Sequence, residues 1–116
     1  MQTYYQHVLT KLFIVGIPLI LALAGCEKKE NPFPDHLGGQ IFQGNKMVNV
    51  NCANCHGPLG GGGMRAPNLS NSAKNKASEQ FIETVIKGRK GMPAFGAVLK
   101  EDDVLQIIDW LKKIPR

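Results

Sequence analysis

Apolar residues in the second half of the 116-residue chain recur at helical rather than strand spacing. Val104, Ile107, Ile108 and Leu111 form an i, i+3, i+4, i+7 stripe, which predicts a helix starting near Glu101. Its first turn carries Glu101, Asp102 and Asp103, its end carries Lys112 and Lys113, and Pro115 follows. Acids then sit at the positive end of the helix dipole, cations at the negative end, and a residue that cannot continue the helix closes it. Phe81, Ile82, Val85 and Ile86 mark a second helix, with Ser78 as N-cap, Glu79 in the first turn and Gly88 as the stop. A weaker helix is predicted from Asp35 to about Met47, with Leu37, Ile41, Phe42 and Met47 as its apolar set; the glycines there lower its propensity. No stretch alternates over strand length, so the fold class is all-α.

The N-terminal pattern differs. Met1 to Lys11 is polar, and Leu12 to Ala24 (LFIVGIPLILALA) is then almost wholly apolar. That run falls short of the roughly 20 residues a membrane-spanning helix needs but suits the hydrophobic region of a signal peptide. Gly16 and Pro18 weaken a permanent helix further. The run ends in Leu23-Ala24-Gly25-Cys26, which resembles the lipobox of bacterial lipoproteins. The resemblance implies a signal peptide over 1–25, cleavage before Cys26 and acylation of its thiol, which anchors the protein on a membrane outside the cytoplasm. The competing reading is an uncleaved anchor with an ordinary cysteine at 26. Glu27 to His36 is charged, holds Pro32 and Pro34, and lacks apolar periodicity. Residues 26–36 therefore read as a lipid-anchored tether, the ten residues after Cys26 reaching at most about 35 Å, and 37–116 as the domain.

About 90 residues remain after the leader, too few for a two-domain enzyme, a dinucleotide fold with a partner domain, or a barrel. A core of that size calls for a staple: cofactor, metal or disulfide. Three cysteines exclude a multi-disulfide scaffold. The net charge of +5 is a mild excess, without the clustered cations and interleaved aromatics of a nucleic-acid binder. An apolar content of 43%, gathered in helix-spaced clusters, argues against disorder.

Cys52-Ala53-Asn54-Cys55-His56 supplies the staple. On one helical turn, positions i, i+3 and i+4 share a face, so two thiols and an imidazole converge on one object. C-x-x-C-H is the attachment string of c-type haem: Cys52 and Cys55 bond the two vinyl groups and His56 binds the iron. Three other readings compete. Zinc needs a fourth strong ligand, which Cys26 or His36 would have to provide. A thioredoxin-like pair expects a βαβ setting. A simple disulfide leaves His56 without a role.

A second iron ligand must come from a distant stretch of chain. Met92, in Lys90-Gly91-Met92-Pro93-Ala94-Phe95-Gly96, is the candidate: a thioether on a proline-stiffened loop with glycines that permit close backbone approach. Met64 lies only eight residues after His56 in a glycine-rich loop, and Met47 on the approach to the motif reads as packing. His36 would give bis-histidine ligation but lies at the end of the tether.

On these residues the chain resembles a small class I cytochrome c over Gly38 to Ile114. Gly38-Gly39-Gln40-Ile41-Phe42 is similar to the family's first helix, and Gly88 to Phe95 to the methionine loop of the bacterial short-chain and cytochrome c6-like members. The resemblance implies three to four helices around one covalent haem c, the first and last crossing closely at Gly38 or Gly39, with Phe42 meeting Trp110. It also implies that the Pro67 carbonyl, in Ala66-Pro67-Asn68-Leu69, accepts the N–H of His56. The four-glycine run Gly60 to Gly63 departs from the family and predicts a pliant connection.

Iron with both axial positions filled has no open site, which implies an electron carrier rather than an enzyme, serving membrane-associated redox protein partners without nucleic acid. Lys87, Arg89 and Lys90 are candidates for steering acidic partners. The alternatives are an electron-transfer subunit of a larger membrane oxidoreductase, a haem enzyme or gas sensor with Met92 unligated, and a non-haem metal module.

Overall fold

The computed structural model describes residues 29–64 and 66–115; the signal-peptide reading, Cys26 and Arg65 lie outside them. Five helices make up the described fold: α1 Leu37–Phe42, α2 Ala53–His56, α3 Leu69–Asn75, α4 Ser78–Lys87 and α5 Glu101–Lys113. Among the described residues there is no strand, only the isolated bridge pair Arg89 and Met92, and no helix is long and apolar enough to cross a membrane.

Helix α5 has the bounds its stripe predicts. Its start is closed by the Asp103 carboxylate, which accepts the Lys100 N–H at 2.9 Å. Val104, Ile107, Ile108 and Leu111 are buried, and burying such aliphatic side chains is worth roughly 1.5–3 kcal/mol each. Trp110 is fully buried as well and meets Phe42 with ring centroids 5.0 Å apart, tilted by 41°.

Helix α1 is shorter than predicted. Gly44, at φ +79°, turns the chain out of the helix, and the Cys52 N–H closes on the Phe42 carbonyl at 2.9 Å. Leu37 is exposed instead of core-facing. The helix crosses α5 at backbone contact: a Cβ on Gly38 would lie 1.9 Å from the Gln106 carbonyl oxygen, and one on Gly39 2.7 Å from Trp110 Nε1.

Contacts of the packed region begin before α1. The Trp110 Nε1–H donates to Asn31 Oδ1 at 3.2 Å. His36 is the N-cap of α1: its Nδ1 accepts the Gly38 N–H at 3.1 Å, and its Nε2–H donates to Asp109 at 3.0 Å. Helix α3 has no apolar stripe; it rests on the Asn68 cap, whose side chain accepts the Asn71 N–H at 3.1 Å. Only Lys76 and Ala77 separate α3 from α4, both extended, so the N-cap of α4 falls on Ala77 and Ser78 is its first helical residue.

Candidate cofactor site

Helix α2 is a single turn started from Cys52, whose carbonyl accepts the His56 N–H at 2.9 Å. The Asn51 side chain accepts the Asn54 N–H at 3.1 Å, holding the turn from its other side. Cys52 is half-buried, Cys55 exposed, and both are free thiols rather than a disulfide. Burial pushes the Cys52 thiol up to about 11; its backbone hydrogen bond opposes that rise and Cys55 adds to it.

His56 is buried, at 6% exposure. Its Nδ1 lies 3.0 Å from the Pro67 carbonyl oxygen. A carbonyl only accepts, so the proton is on Nδ1 and Nε2 keeps its lone pair. Among the described residues Nε2 has no hydrogen-bond partner. A buried imidazole with one nitrogen fixed and the other open is prepared as a metal ligand.

The segment between His56 and Pro67 is not the pliant connection its four glycines predict. Gly60, at φ +68°, is buried; a Cβ there would stand 2.6 Å from Leu111 Cδ2, and its carbonyl accepts the Leu69 N–H at 2.7 Å. The Gly62 N–H reaches the His56 carbonyl at 2.8 Å, and the Gly63 N–H that of Ala66 at 3.0 Å. These glycines admit a tight path, and hydrogen bonds then pin it.

Met92 sits at the end of a closed turn. Its N–H donates to the Arg89 carbonyl at 2.8 Å, the Arg89 N–H returns to Met92 at 3.0 Å, and Gly91 at φ +83° takes the third position of a type II turn. Beyond it, the Phe95 and Gly96 N–H groups bond the Val85 and Ile86 carbonyls at 3.0 and 3.1 Å, tying the loop to the end of α4. Met92 is half-buried against the core. Met64 is fully in solvent.

Beside the Cys52–His56 turn and the methionine loop opens a cavity of about 680 Å³, lined by neighbours of Cys52, Cys55 and Met92 but not by these three or by His56. Asn51 and Asn54 line one side, interleaved in sequence with the two cysteines; Pro93, Ala94 and Val98 line the other. Its size is that of a cofactor site, roughly 300–1,000 Å³. Met47 lines it too, a role its helix-phased position had not signalled. Sequence reasoning also missed Asn49, at φ +63°, which turns the chain so that Val48 projects into solvent at the cavity mouth and Val50 enters the core. The one available signal was the tolerance of asparagine for left-handed backbone.

His36, the alternative iron ligand, has both ring nitrogens engaged at α1 and α5. Among the described residues no three His, Cys, Asp or Glu side chains gather as a metal-ion site. The donors present suit covalent haem: two thiols and an open imidazole nitrogen on one helical turn, a thioether on a pinned loop, and a largely apolar cavity lined by the chain neighbours of both.

Residues 39–111 match the family model described as cytochrome c oxidase, cbb3-type, subunit III. Over 46 residues the chain is 52% identical to cytochrome c-555 of Methylococcus capsulatus (strain Bath), a stretch that covers 40% of this chain and 37% of that protein. The chain thus matches little more than a third of that relative's length. No solved structure matches it.

Proposed function

Because the chain belongs to the family of cbb3-type cytochrome c oxidase subunit III domains, cytochrome c domains whose haem c is covalently bound, we propose that it is a one-electron carrier held on a membrane surface outside the cytoplasm. Held by the residues of this site, haem c would supply exchange of a single electron between ferric and ferrous iron. Cys52 and Cys55 would hold it by thioether bonds, and His56 would ligate through Nε2, its ring oriented by the Pro67 carbonyl. Met92 would supply the second protein ligand to its iron, and a methionine–histidine pair raises the reduction potential. With no ligand position open, substrate chemistry has no place at the site, and the domain transfers electrons without being an enzyme. Lipid on Cys26 provides the membrane anchor.

The observation that carries this reading is the buried, singly bonded His56 on the same turn as the two thiols. Partners meet a cavity rim whose lining residues carry no charge. Arg89 and Lys90 stand exposed beside it, while Lys87 is paired with Glu83 at 2.8 Å, so steering of acidic partners rests on the first two. The test is a pyridine haemochrome spectrum of denatured protein made in a host competent for haem attachment. Haem that stays with the chain supports the reading; a colourless chain overturns it. The family description, an oxidase subunit, favours a second reading in which the domain works inside a larger membrane oxidoreductase. Native electrophoresis of gently solubilised membranes separates the two, by the size at which the haem migrates.

A further inference from the structure

The tether is shorter than its composition suggests. Asn31 is bonded to Trp110 and His36 to Gly38 and Asp109, so the second half of residues 26–36 lies on the domain. From Cys26 to Asn31 the chain reaches at most about 18 Å, so a lipid on Cys26 holds the exit point against the membrane.

That exit point lies at one end of a charge axis. Helix α5 starts with Glu101, Asp102 and Asp103 and ends with Lys112 and Lys113; its 13 residues span about 20 Å. At the lysine end, Lys74 Nζ bonds the Ile114 carbonyl at 3.2 Å, bringing the end of α3 alongside. Lys29 stands two residues before Asn31, and Lys76 caps α3. Three carboxylates share this end, Glu30, Asp35 and Asp109, the last paired with Lys113 at 2.7 Å. The five lysines outnumber them. Helix-dipole compensation accounts for Lys112 and Lys113 in α5 and for Lys74 and Lys76 at the end of α3, but the two helix ends lie side by side, and Lys29 adds to them from outside either helix.

The cavity lies at the opposite end. Its wall residue Val98 leads through Leu99 and Lys100 directly into the acidic start of α5.

We propose that the lysine end of α5, with Lys29, Lys74 and Lys76, rests on an anionic phospholipid surface and turns the haem crevice toward the aqueous side. Headgroup attraction at the lysine end, which the short tether already holds at the membrane, orients the domain within a screening length of about 8 Å; at the other end Glu101, Asp102 and Asp103 offset Lys100, Arg89 and Lys90. The crevice then meets partners that approach from solution, not through the lipid. This rests on the lipid anchor at Cys26.

The experiment places a nitroxide on Pro115→Cys or on Val98→Cys in the haem-loaded full-length chain, bound to vesicles carrying a nickel-chelating lipid. In phosphatidylcholine vesicles containing phosphatidylglycerol, nickel relaxes the label at 115 severalfold more than that at 98. In phosphatidylcholine alone the difference shrinks. Equal or reversed relaxation, or a difference indifferent to phosphatidylglycerol, overturns the orientation while leaving the anchor standing. The intact mass separates the two failures: a chain without lipid on Cys26 overturns the anchor and the orientation together.

Discussion

Gly38 lies so close beneath Gln106 that a Cβ would stand 1.9 Å from the Gln106 carbonyl oxygen. Backbone cannot yield there as a flexible side chain would, so Gly38→Ala forces α1 and α5 apart. The cost expected for such overpacking is about 1–3 kcal/mol or more. It appears as a lower denaturation midpoint with an unchanged slope. A variant as stable as the parent would mean the helices cross elsewhere.

Legibility in the sequence followed what each element needs. Helix α5 announces itself because its stripe, terminal charges and Pro115 all agree, and α4 does so through Phe81, Val85 and Gly88. Helix α3 (LSNSAKN) leaves no periodic trace, since Leu69 and Ala73 are its only apolar residues. Met47 extends α1 in phase, but the left-handed Gly44 ends it first. The Cys52–His56 turn stands out in the sequence because thiol and imidazole chemistry dictates residue type and spacing together. The latch from Asn31 and His36 does not, because its partners lie 79 and 73 residues away, and pairings that distant leave no local pattern.

Asp109 predicts an acid-side weakness. Donation from Lys113, and then from His36, holds its carboxyl below the usual carboxylate range. A group lowered in the native state contributes stability that is complete above its unfolded value of about 3.9 and is lost as pH falls through the native one. The side chain is half exposed, so solvent screening keeps the contribution below about 1 kcal/mol. Urea midpoints measured from neutral pH downward should fall more steeply in the parent than in Asp109→Asn. Parallel curves would remove the carboxylate from the account.

Gly60 ties the site to the core. It needs φ +68°, and a Cβ there would stand 2.6 Å from Leu111 Cδ2, while its carbonyl accepts the Leu69 N–H. Gly60→Ala therefore strains the backbone and pushes on α5, at roughly 1–3 kcal/mol. Because the same segment carries Pro67 to His56, the variant should also lose haem-loaded yield in a maturation-competent host. Measured haem per chain near the parent's value would show that the segment can shift without disturbing His56.

Met92 decides between a carrier and an enzyme. Its turn is fixed on both sides, by the paired Arg89 and Met92 hydrogen bonds and by the bonds of Phe95 and Gly96 to α4. Removing the thioether should therefore leave the loop in place and open a coordination position. Met92→Ala is expected to lose the weak far-red ferric band of sulfur-ligated iron, to bind carbon monoxide when reduced, and to show a lower reduction potential. Met92→His should exclude carbon monoxide again while keeping the potential low, because imidazole fills the position without the thioether's effect on the iron. If the parent already binds carbon monoxide as readily as Met92→Ala does, the sixth position is open in the native protein. Electron carriage would then give way to ligand binding as the domain's chemistry.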